Sequence, residues 1–279
     1  MQMLQARYPV RSVFISDVHL GAPHAHAEEL ADFLQSLECE QVYLVGDIVD
    51  LWWVARRRAC WRASETRVMN LLRLMPRKGI EVIYVPGNHD AALRALVGQQ
   101  LAGIKVQSRA EHTLANGRRM LVTHGDQFDR LVRFSGAQKA LGSFLYDGLL
   151  DLDATMNGIR KRLGVQRFSL ANWIKSRSGR TQIYIQRYEA AVLSYAQRKG
   201  FDGAICGHIH QPKLRLENGL IYANCGDWVE NLTAVVEDAQ GALMQIRWHG
   251  QPVVESAQCS VSHAALNLPA LHLSLPSSG

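Results

Sequence analysis

The chain of 279 residues has five cysteines (Cys39, Cys60, Cys206, Cys225 and Cys259), scattered and never arranged as a Cys-x-x-Cys pair. That excludes a disulfide framework and a thiolate zinc site, and it fits a reducing compartment. No stretch approaches the roughly 18 consecutive apolar residues of a spanning helix, and Met1 to Arg11 lacks the apolar run of a signal peptide. Neither membrane spanning nor secretion is expected, and the default address is the cytoplasm. Internal repeats are absent. With 47 % hydrophobic and 20 % charged residues, the chain is not disordered as a whole. At about 150 residues per domain, its length suits two domains, or one large α/β domain carrying an insertion.

Net charge is +6, and it is unevenly spread. Between Arg130 and Gly200 stand thirteen Lys and Arg against four acids, a local excess of nine. The remainder of the chain is therefore slightly acidic. A basic block of this kind attracts an anionic partner: a phosphorylated substrate, an acidic membrane face or a nucleic acid. The same block carries an apolar stripe at helical spacing, with Leu141, Phe144, Leu145, Leu149, Leu152, Met156, Ile159 and Leu163, resumed by Ile185, Tyr188, Val192 and Tyr195 before Gly200. The positive charge thus sits with an apolar helical stripe rather than with stacking aromatics, which argues against a nucleic-acid partner. The stripe predicts a helical insertion over residues 130–200, read as a lid. Packing of the stripe on the main core is the competing reading.

The first half alternates β-type and helical runs: strands at Val13–Ile15, Val42–Val45 and Glu81–Val85, and helices at Glu28–Leu37 and Ser64–Arg77. Strands follow at Met120–Val122, Ala204–Cys206, Leu220–Ala223, Leu232–Val236 and Leu243–Trp248, with hairpin signals at Asn116-Gly117 and Asn218-Gly219. These runs predict an α/β sandwich with its core in residues 1–129 and 201–249. Residues 250–279 show no sustained period and are expected to be a loosely attached tail.

Chemistry-bearing residues cluster where the β-runs end: Asp17-Val18-His19, Gly46-Asp47, Gly87-Asn88-His89-Asp90, His124-Gly125-Asp126 and Gly207-His208-Ile209-His210. Asp17 and His19, at i and i+2, would leave a strand end on one side and converge on one cation. Any one cluster is explained as a cap or a turn; five that all close β-runs point to a metal site. Carboxylate, amide oxygen and neutral imidazole without thiolate suit Mn²⁺ first, with Fe²⁺, Mg²⁺ or Zn²⁺ as alternatives.

This ordered set resembles the calcineurin-like metallophosphoesterase family over residues 13 to about 236. The resemblance implies a four-layer α-β-β-α sandwich with two divalent metal ions at the strand ends. It implies one ion on Asp17, His19, Asp47 and His210 and the other on Asp47, Asn88, His124 and His208, with Asp47 bridging. His89 is the candidate for stabilising the transition state or protonating the leaving group, with Asp90 orienting its ring.

Within the family, four segments are most similar to the UDP-2,3-diacylglucosamine pyrophosphatases: Ser16 to Gly21, Gly46 to Trp52, Thr123 to Asp129 and Asn224 to Asn231. That resemblance implies cleavage of a lipid-linked sugar nucleotide in lipid A synthesis by a peripheral protein on the cytoplasmic face of an anionic inner membrane. Phe144, Leu145, Leu149 and Arg160 would then contact the substrate, the apolar stripe lining a cleft for acyl chains. One position departs from the best-known members: His89 stands where they carry Arg. Hydrolysis of another phosphoester and a non-catalytic scaffold are the alternatives. A scaffold would be expected to have lost ligands, and none is missing.

Overall fold

The computed structural model describes residues 8–55, 61–130 and 179–257. In chain order the elements are β1 (Tyr8–Pro9), β2 (Ser12–Ile15), α1 (Ala27–Ser36), β3 (Leu37–Glu38), β4 (Gln41–Leu44), α2 (Leu51–Ala55), α3 (Ala63–Leu74), β5 (Glu81–Tyr84), β6 (Gln100–Leu101), β7 (Ile104–Val106), β8 (Ala110–Thr113) and β9 (Arg119–Val122). Then come α4 (Gly179–Arg198), β10 (Gly203–Cys206), β11 (Lys213–Glu217), β12 (Leu220–Asn224), β13 (Thr233–Glu237), β14 (Leu243–Trp248) and β15 (Pro252–Ala257). One sheet runs β15-β14-β13-β2-β4-β5-β7-β6, a second runs β11-β12-β10-β9-β8, and β1 pairs with β3.

The alternation of side chains along each strand builds the layers. In β2, β4 and β5, Val13, Ile15, Val42, Leu44, Val82 and Tyr84 face outward and pack with Leu30, Phe33 and Leu34 of α1 and Val68 and Leu72 of α3. Their neighbours Phe14, Tyr43 and Ile83 face inward against Met120, Val122, Ile205, Ile221 and Ala223 of the second sheet. The intervening Leu121, Ala204, Cys206 and Tyr222 turn outward onto Tyr188, Val192 and Ala196 of α4. Three apolar layers therefore separate four layers of structure in the order α-β-β-α, as expected.

Two boundaries are corrected. Residues 179–198 are not part of a lid: α4 is the outer helical layer of the second sheet, because Tyr188, Val192 and Ala196 bury an apolar stripe there. Nor is the chain after residue 250 entirely a tail, since β15 pairs antiparallel with β14 from Met244↔Ala257 to Trp248↔Pro252. This strand was illegible because Val253, Val254, Glu255, Ser256 and Ala257 do not alternate cleanly, and the ladder carries a bulge at Gln245/Ile246. The remainder of the expected lid, with Phe144, Leu145, Leu149 and Arg160, lies outside the described residues. The predicted hairpin turns do form, with Gly117 at φ 87°, Asn218 at 50° and Gly219 at 82°.

Candidate metal centre

Strands β2, β4, β5 and β7 run parallel, as do β9, β10 and β12. The loops that leave their carboxyl ends meet along one edge of the sandwich, where open α/β sheets collect ligands. The sheets are joined there by the Trp228 N–H donating to Asp17 O (3.0 Å) and the His208 N–H donating to Asp17 Oδ2 (2.9 Å).

Left-handed backbone, rather than strand periodicity, aims the side chains. Eight non-glycine residues have positive φ among the described residues, and five of them are Asp17 (52°), His19 (54°), Asp47 (54°), His208 (72°) and His210 (51°). Such conformations cost on the order of 1 kcal/mol each and persist where surrounding contacts over-determine them. Asp17 and His19 do converge, but for this reason and not because an extended strand points i and i+2 alike. Glycine is needed where carboxylates press on backbone: a Cβ at Gly87 would sit 2.3 Å from Asp47 Oδ1, and one at Gly207 2.3 Å from Asp17 Oδ2.

Two sets of donors result, and a third group, His19, Asp50 and His89, adjoins them. Asp17, His19 and His210 place ligand atoms within 4.8 Å of one another, and so do Asp47, His124 and His208. Asn88 joins the second set, with Oδ1 3.2 Å from His124 Nε2, while Asp47 Oδ2 lies 3.3 Å from the same nitrogen. The arrangement fits cations. His19 Nδ1 is engaged by Asp50 Oδ2 at 3.0 Å, and its buried Nε2 makes no hydrogen bond. Buried Asp17 Oδ1 makes none either, although His210 Nε2 stands 3.1 Å away. His124 is oriented likewise, Nδ1 donating to Val45 O at 3.0 Å and leaving Nε2 as the lone-pair nitrogen. An imidazole whose second nitrogen is held by an oxygen is the usual form of a ligating histidine.

Electrostatics describe the same bias. Burial alone would lower the pKa of His19, but the Asp50 hydrogen bond and the charges of Asp47, Asp50 and Asp17 override it and raise it to about 9. For His124, burial is again outweighed, here by Asp47 and Asp17, and the pKa reaches about 10. Burial opposes ionisation of Asp17, yet His210 and His124 bring it to about 2; Asp47 is held well below the usual carboxylate range despite burial, by His124 and His19. The loop cluster thus demands positive charge, which protons or metal cations can supply.

His89 lies beside both sets. Its ring contacts Trp52 at a centroid distance of 3.9 Å, and its Nδ1 is 2.9 Å from Asp50 Oδ2. The expectation that Asp90 orients this ring is therefore corrected. Buried Asp90 instead accepts from the Ile48 N–H (2.9 Å), the Gly87 N–H (2.6 Å) and Tyr84 Oη, tying the β4 and β5 loops together. Asp50, inside the segment Gly46 to Trp52, is a functional residue that sequence reasoning missed; its three-residue spacing from Asp47 is the signal that could have found it. Two other supports carry no local signal. Asp129 Oδ1 receives the Tyr184 hydroxyl at 2.6 Å and lies 3.1 Å from His208 Nε2. Asp227 Oδ1 caps the N–H groups of Val229 (2.9 Å), Glu230 and Asn231 (3.1 Å), and the Asn231 amide reaches His210 O at 3.3 Å.

The sequence profile of the Calcineurin-like phosphoesterase family matches residues 10–212, which include every residue of the two donor sets. The chain belongs to the calcineurin-like phosphoesterase family. It is accordingly a metal-dependent hydrolase. Among its relatives, a UDP-2,3-diacylglucosamine hydrolase of Neisseria gonorrhoeae (strain ATCC 700825 / FA 1090) is 26 % identical over 250 residues, covering 83 % of this chain and 96 % of that protein. Another of the same name, from Xanthomonas campestris pv. campestris (strain B100), is 24 % identical and covers 84 % of this chain and 98 % of its own. Among solved structures, the E. coli phosphoesterase Yfce has 15 % identity and a TM-score of 0.45, over 88 % of this chain and 97 % of its own.

Proposed function

We propose that the chain hydrolyses the pyrophosphate of UDP-2,3-diacylglucosamine, releasing UMP and 2,3-diacylglucosamine 1-phosphate. The observation that carries this reading is the near end-to-end match to UDP-2,3-diacylglucosamine hydrolases, which covers 82–84 % of this chain and 95–98 % of theirs. The residues suit the reaction. Asp17, His19, Asp47 and His210 would hold one divalent cation, and Asp47, Asn88, His124 and His208 a second, with Asp47 shared. When bound, such cations act as Lewis acids on a phosphoryl group and make water a better nucleophile at neutral pH.

The protein's own part is orientation. Asp50 holds His19 and His89 by one carboxylate oxygen, so a metal-binding residue and a substrate-facing residue share one anchor. With Nδ1 on Asp50, His89 has Nε2 left for the substrate. A departing sugar phosphate is a weak base and needs no proton, so the role left to His89 is that of an imidazolium: with one N–H on Asp50, only the doubly protonated ring has an Nε2–H to donate to charge developing on the phosphoryl oxygens. Arg in this position would bring a fixed charge and five donors; His89 supplies one donor in a fixed direction. Mn²⁺ is the proposed ion. The basic residues of 130–178, with Phe144, Leu145, Leu149 and Arg160, are proposed as the acyl-chain and anionic-membrane contacts of a peripheral enzyme. No helix among the described residues is long and apolar enough to cross a membrane.

The test is Mn²⁺-dependent hydrolysis of UDP-2,3-diacylglucosamine in detergent micelles, followed by UMP release. Release abolished by EDTA and restored by Mn²⁺ is expected. Turnover of a simple phosphodiester with no UMP from the lipid substrate would reject the substrate while leaving the phosphoesterase intact.

A further inference from the structure

Beside the donor sets, on the side of His124, opens a cleft of about 510 Å³. Its walls come from four stretches of chain: Arg94 and Val97 after β5, Ser108 and Arg109 between β7 and β8, Asp126 and Gln127 after β9, and Tyr195 on α4. They are already ordered by hydrogen bonds among the lining residues. Arg94 Nη2 donates to Asp126 Oδ2 at 2.8 Å, Arg109 Nη1 to the Tyr195 hydroxyl at 2.8 Å, and Gln127 Nε2 to Thr123 Oγ1 at 2.8 Å. Each guanidinium has five N–H donors, so both arginines keep donors for a ligand.

We propose that this cleft binds the nucleoside half of the substrate, with Arg109 and Tyr195 as its specificity-determining residues. The inference rests on the pyrophosphatase reading above and adds where the two halves of that substrate go. Three observations support it. A nucleoside is joined to the reacting phosphorus by a single ester oxygen, so its pocket has to adjoin the donor sets, and His124 belongs to both. The volume falls in the range of small-molecule pockets, enough for one base and ribose. The lining is mixed, with apolar Pro86 and Val97 beside Arg94, Arg109, Asp126 and Gln127, and an acyl chain laid over the polar four would strip their water without returning hydrogen bonds. A base and ribose return them: Ser108, Gln127 and Asp126 match hydroxyl and carbonyl groups, and the Arg109 plane and Tyr195 ring offer a face for stacking. The exposed tryptophan beside the centre, Trp52, packs on His89 and is no part of this cleft, so the apolar half of the substrate leaves in another direction.

The experiment is calorimetric titration of UMP and, separately, of inorganic phosphate into the Mn²⁺-loaded protein, comparing wild type with Arg109→Ala and Tyr195→Phe. Loss of one stacking or bidentate contact predicts that Arg109→Ala weakens UMP by about tenfold and inorganic phosphate by less than about twofold. Tyr195→Phe keeps the ring and frees Arg109, so it should weaken UMP by about threefold, short of the arginine deletion. Unchanged UMP affinity in Arg109→Ala overturns the proposal, and so does an equal weakening of UMP and phosphate, which would make Arg109 a general electrostatic contributor. The two readings fail separately. UMP held through Arg109 by a protein that does not cleave the lipid substrate retains this subsite and rejects the substrate; cleavage with no role for Arg109 does the reverse.

Discussion

At the strand-start end of the sandwich, between the sheets, Tyr43, His112, Glu237 and Arg11 form a buried chain. The Tyr43 hydroxyl meets His112 Nδ1 at 3.0 Å, His112 Nε2 meets Glu237 Oε2 at 2.8 Å, and Glu237 Oε1 accepts from Arg11 Nη1 and the Ala115 N–H, both at 2.7 Å. The carboxyl-end loops bury the same residue types, yet His19 Nε2 and Asp17 Oδ1 make no hydrogen bond, and five donors sit on left-handed backbone. One end is a closed network that is complete without a ligand; the other is left short of cations. Buried His–carboxylate pairs therefore do not mark function by themselves. The mark is polar satisfaction that stops one ion short, held there by strained loops.

The comparison breaks most sharply at Asp47. Asp47→Ala should reduce hydrolysis by at least about 10³-fold and strip metal, because it belongs to the set with His124 and His208 and is proposed to be shared with the other; near wild-type turnover with saturating Mn²⁺ would show that the site is misread. Next comes His89→Ala, with an expected loss of about 10²–10⁴-fold and unchanged metal content by elemental analysis. Collapse of metal content would move His89 into the ligand set. The opposite end should respond in stability alone. Glu237→Leu leaves His112 Nε2 and the Ala115 N–H without their acceptor, takes one of two from Arg11, and should cost about 3–5 kcal/mol in urea denaturation, while kcat in the folded fraction stays unchanged.

Smallest, and most diagnostic, is the dependence on pH. Despite burial, Glu237 is held below the ordinary carboxylate range by His112 and the Ala115 N–H. Its contribution is present above about 4.5, the ordinary value, and is lost as pH falls through its lower folded value. In metal-free protein His19 and His124 are raised, so their contribution is complete below about 6.5 and lost as pH rises through about 9 to 10. At the acid extreme both ends lose stability, because Asp17 and Asp47 are lowered as Glu237 is, whereas the alkaline loss belongs to the metal end alone. Glu237→Gln should make the acid limb of Tm against pH less steep and leave the alkaline limb as it was. Metal should bind more tightly as pH rises, widening the gap between loaded and metal-free Tm.

Much of this was legible in the residues because the parallel strands are short, apolar and alternate between two cores. Val13-Phe14-Ile15 and Val42-Tyr43-Leu44 announce themselves, and the polar clusters that follow them identify the ligand loops. Strand β15 and the packing of α4 were not legible, since an edge strand with a bulge loses its period and an amphipathic helix does not say which apolar surface it covers.

By itself the sequence determined the eight central strands and the clusters of hard-ligand residues that close them, since these depend on side-chain type and local period. Only the tertiary structure decided that Asp50, and not Asp90, aligns His89, that Asp129 and Asp227 brace the histidine loop, and that Arg109 faces Tyr195 across a cleft. Those pairings join residues from 39 to 86 positions apart or depend on left-handed turns. Distances of that kind are fixed by how two sheets and a helix close on one another, which no local pattern encodes.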